Sequence, residues 1–353
     1  MDVHARTTRI CAIQGEELVA ERTIPTDPEL IEAFLREHGV ARCCYEAGPT
    51  GFALQRHLQA AGINCEIVAP GLIPKAPGDK VKTDRLDARK LARLYQGGLL
   101  VPIWIPDPET EAMRDLLRNR EDARLDRTSA RHRIGKFLIR HGRRMPTTMW
   151  GPTRREWLNR QAFDYPAQQA AFSDYMLMLE LLDRRIDQLD TQLHAYAAEC
   201  AFADQIARLR TIRGIDTLSA FGISAEAGPL DRFPAAPQFM SFTGLVSSEY
   251  SSGDSRSQGA LTRVGNAHIR RLLVEAAWNN KRRPSMSKQL TDRHAGQDPR
   301  VVQHALKCQA RLHRRWMRMQ ARSKPHNKIV CAVARELAGF VWAIGSGRPL
   351  HTA

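Results

Sequence analysis

Two acids sit one helical turn apart inside a run of cations. In Lys82-Thr83-Asp84-Arg85-Leu86-Asp87-Ala88-Arg89-Lys90, Asp84 and Asp87 are spaced i, i+3 and share one face of a helix. Neighbouring carboxylates repel, and a divalent cation would neutralise them. Lys82, Arg85 and Arg89 would then hold a phosphate backbone beside that cation. The same residues also make a good helix start, with Thr83 or Asp84 as N-cap and Asp87 favourable to the helix dipole. The segment alone leaves both readings open.

Two further acids widen the first reading. Glu46 ends a strand pattern and runs into the turn Ala47-Gly48-Pro49-Thr50-Gly51. Such a turn after a strand is where an α/β sheet exposes side chains to a ligand crevice. Asp2 begins the first strand pattern. Asp2, Glu46, Asp84 and Asp87 could converge, two from strand ends and two from one helix face. Four carboxylates suit two Mg²⁺ or Mn²⁺ ions rather than zinc, the arrangement that assists in-line phosphoryl transfer.

A second constellation lies between Glu249 and Asn266. Ser251-Ser252-Gly253 is followed by Arg256, Arg263, Arg270 and Arg271. A serine hydroxyl needs a base or a metal to become a nucleophile, and spaced arginines could bind the phosphate it attacks. A flexible Ser/Gly linker is the competing reading. The twelve histidines include no H-E-x-x-H pair, and no Ser-His-Asp order stands out.

The elements that must position these residues follow from pattern. Residues 8–13 and 17–24 read as strands joined at Gln14-Gly15. Residues 27–38 read as a helix capped by Thr26 or Asp27 and stopped by Gly39. Strands at 42–46 and 65–69 flank a helix at 51–61. The order implies an α/β domain with a mixed sheet over residues 1–100. A long helix runs from Asp107 to about Arg140, with Pro108 in its first turn. A second carries Tyr175, Leu179, Leu182, Ile186, Leu189, Leu193 and Tyr196 in alternating four- and three-residue steps, a heptad seam. That seam could pack on the first helix, or pair copies of the chain, or both. Residues 101–200 thus form a helical, coiled-coil-like middle.

Residues 201–284 place Gly214 in a turn between two helices, which could point N–H groups at a phosphate or be an ordinary helical hairpin. Residues 285–353 read as basic C-terminal helices. They carry Lys307, Arg311, Arg314, Arg315 and Arg318, half or more of which a plain solvated face would explain.

Over 353 residues the formal net charge is +15, from 53 Lys and Arg against 38 acids, which predicts a polyanionic partner, nucleic acid foremost. No apolar run approaches the roughly 20 residues of a membrane span. The start, Met1-Asp2-Val3-His4-Ala5-Arg6, lacks a signal peptide's apolar region. Seven scattered cysteines without a C-x-x-C predict reduced thiols in a cytoplasm.

Together these residues resemble one family. The acids run D, E, D-x-x-D. A helical middle follows, then Gly214-Ile215, Gly244-Leu245-Val246, Ser251-Ser252-Gly253 and Gly265-Asn266 before Arg270-Arg271-Leu272-Leu273-Val274-Glu275-Ala276-Ala277. The pattern is similar to the DEDD-type transposases of the insertion-sequence 110 family, serine recombinases with a RuvC-like domain. The resemblance implies an RNase H-like (RuvC-like) N-terminal domain with Asp2, Glu46, Asp84 and Asp87 on Mg²⁺ or Mn²⁺. It implies a mainly α C-terminal transposase domain whose Ser251, with Ser252 in reserve, attacks DNA to give a phosphoserine intermediate. It also implies donor and target DNA, a structured non-coding guide RNA, a bacterial nucleoid location, and a dimer or tetramer that shares sites between protomers. A water-using RuvC-like nuclease and an inactive RNA/DNA-binding scaffold are the alternatives. Two departures stand out. Only Met1 precedes the first Asp, so the first strand is either short or truncated. Asp216 stands where the family often has a second glycine.

Overall fold

A computed structural model of the chain describes residues 1–74, 83–252 and 255–350, with the side chains of Ser251 and Arg256 outside that set. Lys82 lies outside the described residues. The chain divides into two compact units, Met1–Pro106 and Asp107–Ala353.

The first unit is α/β. Strands β1 (Asp2–Val3), β2 (Thr7–Gln14) and β3 (Glu17–Pro25) form an antiparallel sheet in that order. Helix α1 (Pro28–Glu37) follows, then β4 (Arg42–Glu46), α2 (Ala53–Ala60) and β5 (Asn64–Val68), with β4 and β5 parallel. Helix α3 (Asp84–Gln96) completes the unit. The expected strand and helix order holds throughout.

Local chemistry accounts for these elements. Asp27 caps α1 by accepting from the amides of Glu29 and Leu30, and Pro28 occupies the first helical position. Ile31, Phe34 and Leu35 lie on one face of α1 and are buried with Ile10, Tyr45, Leu58 and Ile67. The first strand is short. Met1 is buried in this same core, and its amino group donates to the Cys44 carbonyl at 2.7 Å. That bond ties β1 to β4 and so links the antiparallel sheet to the parallel pair.

The second unit is helical apart from one hairpin. Its helices are α4 (Pro108–Arg140), α5 (Pro152–Asn159), α6 (Pro166–Glu199), α7 (Ala203–Leu209), α8 (Thr217–Ala227) and α9 (Ala236–Phe242). Strands β6 (Ser247–Ser252) and β7 (Ser255–Leu261) then precede α10 (Ala267–Ala277), α11 (Lys288–His294), α12 (Pro299–Ala321) and α13 (His326–Gly345).

The heptad seam of α6 packs inside the chain, antiparallel to α4. Leu179 meets Ile134, Phe137 and Leu138 near one end. Ile186 and Leu189 close on Ala123, and Leu193 joins Met113 and Leu117 at the other end. A 3.5-residue repeat is what two helices crossing at a shallow angle require, whether they belong to one chain or two. Arg120 to Asp190 at 2.7 Å and Arg127 to Asp183 at 3.3 Å flank the seam.

One continuous core joins the end of this helical hairpin to everything that follows. Met113, Leu117 and Leu193 pack in it with Phe221, Phe239, Leu273, Trp316, Val333 and Leu337. The basic C-terminal helices α12 and α13 are therefore part of the same body as α7 to α10. The described cysteines are free, six of them buried and Cys331 partly so. Among the described residues no helix is long and apolar enough to cross a membrane.

Because α4 fills the seam, Ile186→Ala should destabilise the second unit by about 2–5 kcal/mol, the usual cost of such a cavity. Urea titrations at several protein concentrations should give the same loss. A loss that vanished on dilution would instead assign the seam to contacts between copies.

Candidate functional site

The acid site depends on how α3 is docked. Asp84, Asp87, Ala88 and Leu91 are spaced i, i+3, i+4 and i+7, so they share a face. Ala88 and Leu91 are buried, and Leu91 packs with Cys44 and Val68 of β4 and β5. The side of α3 that carries the acids is thus the side turned to the sheet. Thr83 caps the helix by accepting from Leu86 N–H. The cap and the acid face therefore coexist.

A mostly covered carboxylate holds the helix from its other flank. Glu21 of β3 accepts two hydrogen bonds from Arg89, from Nε and Nη2 at 2.9 Å each, and pairs with Arg9 Nη2 at 2.9 Å. The hydrogen bond from Arg89 holds the Glu21 carboxyl below its ordinary range; burial opposes this, and Arg9 adds to it. The structure thus gives Arg89 an internal partner, where the sequence pattern offered it to a phosphate.

Asp2 and Asp84 come together at the end of this arrangement. His4 Nε2 lies 3.3 Å from an Asp2 carboxylate oxygen and 3.8 Å from one of Asp84. One ligand atom from each of Asp2, His4 and Asp84 falls within 4.8 Å of the others. Asp2 is mostly covered, at 16% side-chain exposure, while Asp84 is open at 67%. Asp87 lies one turn further along the same face of α3, half-buried. Glu46 ends β4, in register with Val68 of β5. Neither Glu46 nor Asp87 belongs to the close cluster.

His4 was missed in the sequence, although Asp2 and His4 are spaced i, i+2 and a strand would turn both to one face. Thr26 fixes it by donating to the His4 carbonyl at 2.7 Å. Two carboxylates and an imidazole make a donor set suited to a divalent cation, with the nitrogen more welcome to Mn²⁺ than to Mg²⁺.

The serine segment is a strand hairpin rather than a linker. Ser251 and Ser252 end β6, and Ser251 is the register partner of Arg256 on β7. Tyr250 beside them is 79% exposed. The base of the hairpin is closed by backbone. Gly265 has φ +127°, and a Cβ there would collide with the Phe242 carbonyl, so the chain can pass only as glycine. Arg263 also has positive φ and is exposed.

Three residues expected to grip phosphate are taken up by the protein itself. Arg270 Nη1 donates to the Thr243 carbonyl at 2.9 Å. Arg271 pairs with Glu121 and Glu275, both at 3.1 Å. Gly214 has φ +91°, and a Cβ there would lie 2.7 Å from the Ala276 carbonyl. Its turn is pressed against the end of α10. The N-terminus of α8 beyond it is already capped by Asp216, which accepts from Ser219 N–H at 2.8 Å. A carboxylate there excludes a phosphate by charge and by occupancy. Arg85, by contrast, is exposed.

The family model described as "Transposase IS116/IS110/IS902 family" matches residues 206–292. A second, described as "Transposase" and specific to the DEDD type of IS110 elements, matches residues 1–141. The chain is 32% identical over 334 residues to the "Transposase for insertion sequence element IS1533" of Leptospira borgpetersenii, covering 92% of this chain and 96% of that one. It is 38% identical over 302 residues to "Putative transposase y4qE" of Sinorhizobium fredii, covering 85% of this chain and 74% of that one. The chain belongs to the IS110-type DEDD transposases.

The two matches divide as the chemistry does. The DEDD match contains Asp2, Glu46, Asp84 and Asp87, and the IS116/IS110/IS902 match contains the serine hairpin and its anchors. In this IS110-type transposase the acids and the serines thus belong to separate compact units.

Two tests follow. Glu21 has a lowered folded pKa, so its contribution is complete above the ordinary Glu value and is lost as pH falls through the lowered one. Glu21→Gln should therefore cost about 1.5–3 kcal/mol at neutral pH. Thermal melts should show the gap from the parent closing in acid, and a gap that persists there would remove the ion pair from the account. Gly214→Ala should cost about 1–3 kcal/mol through overpacking. The salt dependence of DNA binding should stay unchanged; a flatter dependence would return the turn to a phosphate.

Proposed function

We propose that this transposase cuts and joins DNA by transesterification through a phosphoserine, with a divalent cation held by the N-terminal acids. The observation that carries the metal reading is the cluster of Asp2, His4 and Asp84, whose ligand atoms lie within 4.8 Å of one another. The N-terminal unit is read as an RNase H-like (RuvC-like) domain. The acid on a short strand and the acids on a sheet-facing helix support that reading.

Asp2, Asp84 and His4 would hold the cation, Mg²⁺ or Mn²⁺, with Glu46 and Asp87 completing the set. The cation when bound would offset charge on the phosphate and on the departing oxygen. Ser252, the last residue of β6, is exposed, which supports a serine segment open to substrate. In the first step Ser251 Oγ gives its proton to a base and bonds to phosphorus, and the 3′ oxygen of the cut strand leaves. In the second a 3′ hydroxyl of the partner strand attacks that phosphorus, and the serine hydroxyl is restored. One phosphoester bond replaces another at each step, so no nucleotide is consumed.

A structured non-coding RNA that base-pairs with donor and target DNA would supply sequence, leaving the protein to bind backbones. The net charge of +15 supports such a partner. The two site sets lie in separate units, which supports assembly of one working site from two protomers of a dimer or tetramer.

The test is trapping on element-end DNA with its cognate RNA and Mg²⁺. The parent and Ser252→Ala should form a protein–DNA adduct. Ser251→Ala should lower it by about 10³-fold or more, the scale of losing a nucleophile. Asp84→Asn should abolish it. Protein-free, hydrolysed products that survive Ser251→Ala would make the enzyme a water-using nuclease instead.

A further inference from the structure

A concentration of cations on the second unit lines a cleft that includes none of the serine hairpin's residues. A cleft of about 620 Å³ is lined by Arg311, Arg314, Arg315, Arg318, Arg322 and Lys324. All six cations are exposed. Glu336 of α13 is the one acid in the lining.

The spacing is what makes this a surface rather than a scatter. Arg311, Arg315 and Arg318 of α12 and Arg322, its C-cap, follow steps of four, three and four, a stripe about 16 Å long. The adjoining face of α12, roughly a quarter-turn round the helix, is apolar and buried, through Val301, Ala305, Cys308, Leu312 and Trp316. The core therefore fixes the stripe's direction. Glu336, at 15% side-chain exposure, accepts from Arg311 Nε and lies 3.2 Å from Arg315 Nη1. It sets two guanidinium groups side by side across the cleft.

Arg314, Arg318, Arg322 and Lys324 have no carboxylate partner among the described residues. A solvated helix face usually interleaves charges of both signs, because like charges one turn apart repel. Favourable placement at a helix C-terminus explains Arg318, in the last turn, but not the run of about three turns.

We propose that the α12–α13 cleft is a phosphodiester-binding groove that seats one backbone strand of a nucleic acid. Several guanidinium groups in line match successive phosphates along a strand, and arginine is the side chain best fitted to bidentate phosphate contacts. A cationic ligand would be repelled by six like charges there. The ligand chemistry is common to DNA and RNA. The groove rests on the transposase's having nucleic-acid substrates and is independent of how a strand is cut.

The experiment uses the full chain carrying Arg314→Gln and Arg318→Gln, which leaves the Glu336 pairs intact. Binding to a duplex DNA, a single-stranded DNA and a hairpin RNA is measured across a salt series in EDTA, so no outcome depends on cleavage. Loss of two phosphate contacts should flatten the log–log salt slope by about 1.4–1.8. The control carries Arg160→Gln and Arg184→Gln, which removes the same charge from exposed i, i+4 pairs elsewhere. Flattening confined to one probe supports the groove and names its ligand. No flattening with any probe, or flattening equal to the control's, overturns it. Unchanged thermal melting of both variants keeps the comparison free of unfolding.

Discussion

The N-terminal site depends on one half-buried ion pair. Glu21 on β3, gripped by Arg89 of α3 and by Arg9 of β2, fixes a helix to a sheet at a distance in sequence of 68 residues. Burial of Ala88 and Leu91 supplies attraction but no register, since apolar contact is non-directional. The bidentate pair supplies register, because a planar fork meets a carboxylate in few geometries. With rotation and height set, Asp84 meets Asp2 and His4. The pair is mostly covered, so breaking one side would strand a charge rather than release it to water.

The second unit solves a related problem with backbone. Its serine hairpin carries few apolar residues and does not anchor itself by burial. It is held at the base, where the chain passes close to the Phe242 carbonyl at Gly265 and where Arg270 bonds the Thr243 carbonyl. Asn266 caps α10 and also donates to Glu226 at 2.8 Å, and Glu226 in turn accepts from Arg118 of α4. These polar anchors hold the hairpin at its foot rather than along its strands. The arginines that do this work are unavailable to a ligand, which leaves ligand binding to cations without acidic neighbours.

Much of this was legible beforehand. The caps Asp27 and Thr83, the strand at 42–46 and the long helices all follow from local signals, and local signals act within a few residues. The hairpin was not read as strand, although Gly253-Asp254 between two short polar runs is a recognised two-residue hairpin signal. Its serine-rich composition masked the pattern, since alternation has little contrast where both faces are polar. His4 was overlooked because the search followed carboxylates, and an imidazole two residues from an acid is unremarkable until a third group approaches both. The heptad seam was visible but not its partner. Periodicity reports that an apolar face exists, not whether it closes on the same chain.

The amino-acid sequence by itself determined the element order, the acid and serine segments, the excess of cations and the family. Those properties are local or additive along the chain. Tertiary structure alone decided which arginines are spent and which are free. Arg89, Arg270 and Arg271 look like phosphate ligands in sequence and are consumed by Glu21, the Thr243 carbonyl and the Glu121–Glu275 pair. Arg314, Arg318 and Arg322 look like ordinary surface and line a cleft instead. The physical reason is that a guanidinium's availability depends on what lies within about 4 Å of it in space, and the partners that decide it stand up to 150 residues away.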